Sequence, residues 1–324
     1  MEVSAKSSTE NDMEMNEMKR VATLLRPVPD FPKPGILFWD IEPVLRDFEA
    51  MNAIMNAFDD YWMLRTVDAV AGFDARGFIF GSLLAAKWNL PFVQIRKKGK
   101  LPGKVVTQAY SLEYGEAEIE MIDDGFIAGK RVLLVDDLLA TGGTGAAGAL
   151  LIERLKGIVV GFACVTEIPI LGGRGKLMHY PVQSLISVIE NTLVTDVEYC
   201  VDMLTFDHNS DRKGPILVKR LSEPLGNAMP GGRIDDGESV YAAAKRELVE
   251  ETGCKAKRIS YLETLASLGR DPRGVKVSIV VNVEADTSSL RGEPGKTIPF
   301  EADMKNWPPM ETFVFGHGEF LSRI

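Results

Sequence analysis

The chain has 324 residues, 45% hydrophobic and 26% charged, an ordinary globular composition whose length suggests two domains. Lys and Arg number 37 against 46 Asp and Glu, a net charge of −9 that divides into −5 up to Glu190 and −4 beyond it. With no basic stripe, the composition argues against nucleic acid as a partner; with no apolar run near the ~18 residues of a spanning helix, it argues against a membrane segment.

Residues 1–20 are acidic, Met-rich and polar, without the apolar core of a signal peptide, and read as a flexible tail. From residue 21 to 190, short apolar runs at 68–72, 92–95, 131–135 and 158–164 alternate with amphipathic stretches. That is the rhythm of a parallel sheet flanked by helices. Residues 191–196 carry no periodic pattern and read as a linker, so the second domain is expected over 197–324. There, strands are expected at 197–206, 215–219 and 276–284, and a helix at 239–252 with Gly253 as its stop signal. Strands around one strong helix suggest a layered α/β second domain. Cys164, Cys200 and Cys254 are far apart with no CxxC, which points to a reducing cytoplasm. Three histidines and no HExxH argue against a zinc enzyme.

Residues 131–144, RVLLVDDLLATGGT, are the most informative stretch of the first half. An apolar strand delivers two adjacent carboxylates, Asp136 and Asp137, to its end. The turn Ala140, Thr141, Gly142, Gly143 and Thr144 then leads into a helix. Glycines let successive backbone N–H groups converge on a phosphate, and the helix N-terminus adds its positive end. Acids beside such a loop suit a ligand that also offers ribose hydroxyls or Mg²⁺.

This string resembles the phosphoribosylpyrophosphate motif of type I phosphoribosyltransferases. FPKPGILF at 31–38, GFDARGFIFG at 72–81, IRKKGKLPG at 95–103 and YSLEYG at 110–115 narrow the resemblance to adenine phosphoribosyltransferases. Over residues 21–190 it implies the type I phosphoribosyltransferase fold and Mg²⁺-dependent transfer of a phosphoribosyl group to adenine, giving AMP and diphosphate. By matching motif, residues 140–144 are expected to hold the 5′-phosphate, and Asp136 and Asp137 the ribose hydroxyls. Arg76, Arg96, Lys97 and Lys100 are expected to neutralise the diphosphate. Glu113 and Tyr114 are expected on a closing loop, with the Glu113 carboxyl managing the purine proton. The family usually has a basic residue where this chain has Trp39, between Phe38 and Asp40. The family resemblance also implies a homodimer.

In the second half, GRIDDGE at 232–238 is followed after seven residues by RELVEETG at 246–253. Glu247, Glu250 and Glu251 stand at i, i+3 and i+4 and share one helical face. Like charges so placed repel unless neutralised, and a divalent cation with oxygen ligands is the natural neutraliser. Arg246 is expected to pin a glutamate, and Gly232 to let the loop fold back. The pattern resembles the Nudix box, with Gly232, Glu238, Arg246 and Gly253 as its supporting positions. It implies an α/β/α Nudix fold that uses Mg²⁺, or Mn²⁺ in its place, to cleave a nucleoside diphosphate linked to another moiety. Residues 213–220, 269–274 and 315–321 resemble the ADP-ribose pyrophosphatase branch, so the expected ligand is ADP-ribose-like. Two alternatives stand beside it: cleavage of phosphoribosylpyrophosphate or another nucleotide, and a non-catalytic ligand sensor.

Overall fold

The computed structural model describes residues 8–62, 65–112, 115–208, 214–222, 224–269, 271, 274–302, 308–315 and 317–323. The chain divides into two compact units, one of residues 1–168 with 182–196, the other of residues 169–181 with 197–324.

The first unit opens with helix α1 (Ser8–Leu24), followed by the two-stranded ribbon β1 (Arg26–Pro29) and β2 (Leu37–Asp40). Helices α2 (Glu42–Leu45) and α3 (Phe48–Trp62) lead into the main sheet. Its elements are β3 (Ala69–Phe73), α4 (Gly77–Lys87), β4 (Phe92–Lys97), β5 (Val105–Leu112), β6 (Gly115–Ile122), β7 (Arg131–Leu139), α5 (Gly143–Arg154), β8 (Ile158–Glu167), β9 (Val182–Ile189) and β10 (Thr192–Val194). The strands lie in the order β10-β9-β8-β7-β3-β4-β6-β5. The run β9-β8-β7-β3-β4 is parallel, as the apolar runs predict, and antiparallel strands finish both edges.

Two sequence expectations give way here. The supposed flexible tail is largely helix α1, and Met18 and Val21 near its C-terminal end, with Leu25 just after it, are buried in the same apolar cluster as Val44, Ile54, Phe58 and Trp62. Its polar residues hid an i, i+3, i+7 apolar edge. Half of the supposed linker is β10, which pairs with β9 through a tight hairpin. Glu190 and Asn191 at its turn have φ of 49° and 60°, the left-handed pair that two-residue hairpins need.

The second unit holds α6 (Gly173–Lys176), β11 (Glu198–Asp207), β12 (Ile216–Arg220), β13 (Gly226–Ala228), β14 (Gly231–Arg233), α7 (Val240–Thr252), β15 (Lys255–Ala266), β16 (Lys276–Asp286), β17 (Thr297–Glu301) and α8 (His317–Leu321). Its sheet runs β13-β12-β11-β16-β15, with β14 paired to β11 and β17 to β12. β11 and β16 are parallel over ten residue pairs. Alternate residues serve opposite faces: Val201, Met203, Ile279 and Val281 join Ala243, Ala244 and Leu248 of α7, while Leu204 and Val280 join Phe320 and Leu321 of α8. That is the period-two consequence of a sheet covered on both sides.

A third correction concerns residues 169–181, which the sequence reading kept in the first domain and which group with the second unit. Met178 enters the α7 cluster, and the Tyr241 N–H donates to the Met178 carbonyl at 2.9 Å. The Arg174 guanidinium lies 3.5 Å over the Tyr199 ring. Gly172 and Gly175 lie so close to Tyr261 that a Cβ on either would run into it. Replacing Gly175 by Ala should therefore overpack this seam and cost about 1–3 kcal/mol. A urea titration of the full chain checks this; an unchanged midpoint for the second unit would mean that the glycine is not needed there.

Candidate functional sites in the two units

The first site forms where β3 and β7 end side by side. Asp136 and Asp137 lie near the end of β7, just before Leu138 and Leu139, and α5 begins six residues after Asp137, at Gly143. Gly142 caps α5 in the left-handed conformation, φ 74°, which lets the chain double back from strand to helix. The first N–H groups of α5 have no partner within the helix and face the turn. The other wall is the turn 74–76. It packs tightly because a Cβ on Gly77 would stand 2.7 Å from the Val135 carbonyl and 2.9 Å from Asp136 Oδ1. One on Gly72 would meet the Gly77 carbonyl at 2.7 Å.

The acidic pair is electrostatically strained. Desolvation first, and the charge of Asp137 second, push the Asp136 carboxyl well above the usual carboxylate range. Arg76 answers this with Nε 3.1 Å from Asp137 Oδ2, and its guanidinium lies 5.5 Å over the Phe38 ring. Phe31 meets Phe38 edge-on at 5.1 Å. Trp39 turns away into the apolar cluster, where its Nε1 is buried without a hydrogen-bond partner.

The basic run is held by an acid that sequence reading did not single out. Glu120, 2% exposed on β6, accepts the backbone N–H groups of Lys100 and Leu101, both at 2.8 Å. Burial pushes its carboxyl up, but the N–H donors of residues 99–101 outweigh that and hold it low. Arg96 pairs with Asp74 at 3.1 Å, and Lys97 and Lys100 are exposed. Glu113 and Tyr114 lie outside the described residues.

The second site is built on α7. Ser239 caps it, accepting the Ala242 N–H at 3.1 Å, and Gly253 ends it at φ 70°. The Arg246 guanidinium pairs with Glu238 at 2.8 Å, Glu247 at 2.5 Å and Glu250 at 3.4 Å, and donates to the Arg233 carbonyl at 2.9 Å. Gly232 has no positive φ; what matters is that a Cβ there would collide with the Glu247 carboxylate. Glu251 accepts the Gly231 N–H at 2.9 Å. Glu250 is 51% exposed, and its ion pair among the described residues is with Arg246. Among the described residues no three His, Cys, Asp or Glu groups form a ready metal-liganding set. Beside Gly231 and Gly232 opens a cavity of about 160 Å³, also lined by Asp202, Arg220, Arg233, Lys276 and His317.

Residues 47–198 match the Phosphoribosyl transferase domain family, and residues 201–322 match the NUDIX domain family. Adenine phosphoribosyltransferase of Cupriavidus taiwanensis is 50% identical over 155 residues, 48% of this chain and 81% of that protein. The chain belongs to the adenine phosphoribosyltransferase family. The Jannaschia sp. member is 47% identical over 173 residues, 53% of this chain and 97% of its own. Among solved structures, the adenine phosphoribosyltransferase of Thermoanaerobacter pseudethanolicus is 44% identical at a TM-score of 0.51, covering 52% of this chain and 99% of that one. The phosphoribosyltransferase-like site thus lies in the first unit, and the NUDIX box in the second.

The NUDIX box has a pH signature of its own. Burial first, then the charges of Glu247 and Asp202, push Glu251 up to about 7 from an ordinary 4.5, against the pull of the Gly231 N–H and Arg220. Folding therefore takes up a proton between those values, and the second unit loses stability as pH rises from about 4.5 to about 7, by about 3 kcal/mol in all. In metal-free buffer Glu251→Gln should raise the urea midpoint at pH 8 and lose most of that advantage at pH 5. An equal effect at both values would show that Glu251 stays ionised.

Proposed function

We propose that the chain is a bifunctional nucleotide salvage enzyme whose two sites both yield AMP. In the first unit, the residues of the 140–144 turn and the N–H groups opening α5 hold the 5′-phosphate of phosphoribosylpyrophosphate. Asp136 and Asp137 accept from the ribose hydroxyls, while Arg76, Arg96, Lys97 and Lys100 receive the diphosphate. Adenine N9 replaces the diphosphate at the ribose C1, and Glu113 handles the purine proton. The observation that supports this reading is the abutment of the acidic pair, Arg76 and the α5 N-terminus at the carboxyl ends of β3 and β7. The Saccharomyces cerevisiae relative, 34% identical at a TM-score of 0.50, was solved complexed with adenine and D-2,5-dideoxy-2,5-imino-altritol 1,6-bisphosphate and covers 52% of this chain and 98% of its own.

For the second unit the reading is hydrolysis of a nucleoside diphosphate derivative, with ADP-ribose giving AMP and ribose 5-phosphate. Glu247, Glu250 and Glu251 are the donors for Mg²⁺, or for Mn²⁺ in its place. The fit is chemical: oxygen donors crowded until one carboxyl reaches about 7 are what a hard cation relieves. When bound, the cation screens the diphosphate and lowers the pKa of its water. Arg246 orients Glu247, and Gly231 orients Glu251. A homodimer in the cytoplasm completes the reading.

Asp137→Asn should cripple AMP synthesis from adenine while hydrolysis continues. Glu250→Gln should do the reverse, removing several kcal/mol of transition-state stabilisation from hydrolysis alone. The assay is the wild type and both variants with Mg²⁺ on ADP-ribose, NADH, a diadenosine diphosphate and phosphoribosylpyrophosphate. If the wild type cleaves only the last, phosphoribosylpyrophosphate cleavage replaces ADP-ribose hydrolysis. If it cleaves none, the second unit is a sensor.

A further inference from the structure

The box glutamates are not the end of the acidic cluster. Asp202 on β11 stands opposite Gly231 in the β11–β14 register, and a Cβ on Gly231 would lie 2.8 Å from Asp202 Oδ1. The Gly231 N–H in turn donates to Glu251. One glycine thus adjoins both a carboxylate from the sheet and a carboxylate from the helix. Asp202 is 7% exposed, yet it lines the 160 Å³ cavity together with Arg220, Gly231, Gly232 and His317.

His317 lies behind it. The imidazole is 1% exposed, and its Nδ1 accepts the Met229 N–H at 3.0 Å. That backbone donor leaves the ring proton on Nε2, which stands 3.2 Å from Asp202 Oδ2. The contact has the distance of a hydrogen bond without its alignment. Hydrogen bonds of this kind are often poorly aligned before substrate arrives and tighten in the complex. Phe315 packs edge-on to the imidazole at 5.7 Å, with Arg220 5.1 Å over the Phe315 ring.

We propose that Asp202 is the general base of the diphosphate-cleaving site and that His317 is the positioning residue that holds it. The inference rests on the hydrolase reading of the second unit. A histidine in such a cavity is the reflex choice of base, but this one is 1% exposed and its Nδ1 already accepts the Met229 N–H. Glu251 is the other rival, and its Oε2 is engaged by Gly231 while its charge is the natural partner of the cation. Asp202 lines the cavity itself, with Oδ1 against Gly231. In the reaction the water oxygen bonds to one phosphorus, and the bond from that phosphorus to the bridging oxygen breaks. The electron pair stays on the leaving phosphate, and the water proton passes to Asp202 Oδ1. The products are two monophosphates, and the proton returns to solvent. Arg220 and Arg233 flank the same cavity, with charge of the sign that a diphosphate requires.

The test uses the full-length chain with Mg²⁺ and whichever compound of the panel above it cleaves fastest. Asp202→Asn is close to isosteric and should lower kcat by about 10²–10⁴-fold with KM nearly unchanged, the usual worth of a general base. His317→Leu should lower kcat in the same way, and His317→Gln, which keeps an N–H donor, should recover most of it. Nitrogen-15 NMR of the metal-free protein, in a chain with three histidines, gives an independent reading. His317 should be the Nε2–H tautomer, and Asp202→Asn should shift that proton's resonance. An unchanged kcat in Asp202→Asn overturns the base, and an Nδ1–H tautomer or an imidazolium overturns the positioning role. If Asp202→Asn unfolds, the His317→Leu and His317→Gln pair decides, and equal kcat in the two overturns the proposal. A wild type that cleaves no compound of the panel removes the hydrolase reading and this base with it; activity that survives in Asp202→Asn removes the base alone.

Discussion

Carboxylates forced together out of water need a positive partner, and each half of this chain supplies one from a single arginine. Asp136 and Asp137 sit at the end of β7 with Arg76 against the second of them. Glu238, Glu247 and Glu250 share Arg246. Guanidinium is suited to this because it stays charged and offers donors in several directions at once. Truncating either arginine would leave buried charge uncompensated, which costs more than the ion pair itself is worth. Both sites are thus poised for additional cationic or hydrogen-bonding ligands, and the substrates proposed for them are polyanions that bring cations along.

Distance is set in both places by side chains that are missing. Gly72 and Gly77 let β3, α4 and β7 close until backbone touches carboxylate. Gly231 and Gly232 do the same between β11, β14 and α7, so that Asp202, Glu247 and Glu251 share one corner. Two unrelated topologies converge on one solution: acids on rigid elements, with glycines facing them.

Much of this was legible in the sequence, because the signals are local. The apolar runs gave the parallel core of the first sheet. The i, i+3, i+4 spacing placed Glu247 and Glu251 together, and the DDLLATGGT string put Asp136 and Asp137 before a helix. What escaped was non-local or cut against composition. Glu120 looks like one more charge in an alternating strand until it meets the amides of Lys100 and Leu101. Asp202 and His317 are 115 positions apart in the chain and are joined only by the register of β11 with β14 and by α8. The polar face of α1 masked its buried edge. Trp39 interrupts a family pattern, and only the structure shows that its indole is spent on packing against the apolar cluster.

The excursion of residues 169–181 bears on how such a fusion could be recombined. The backbone leaves the first unit after Ile168, contributes 13 residues to the second, returns at Val182 for β9 and β10, and leaves again after Asp196. No single cut therefore separates the two modules. A gene that swapped this NUDIX domain for another at a junction near position 197 would leave behind the chain that meets Tyr199, Tyr241 and Tyr261, and the incoming domain would have to fit that remnant. The two modules are interleaved along the chain, and a change at Gly172, Arg174 or Gly175, inside the stretch that matches the phosphoribosyltransferase family, acts on the fold of the second unit.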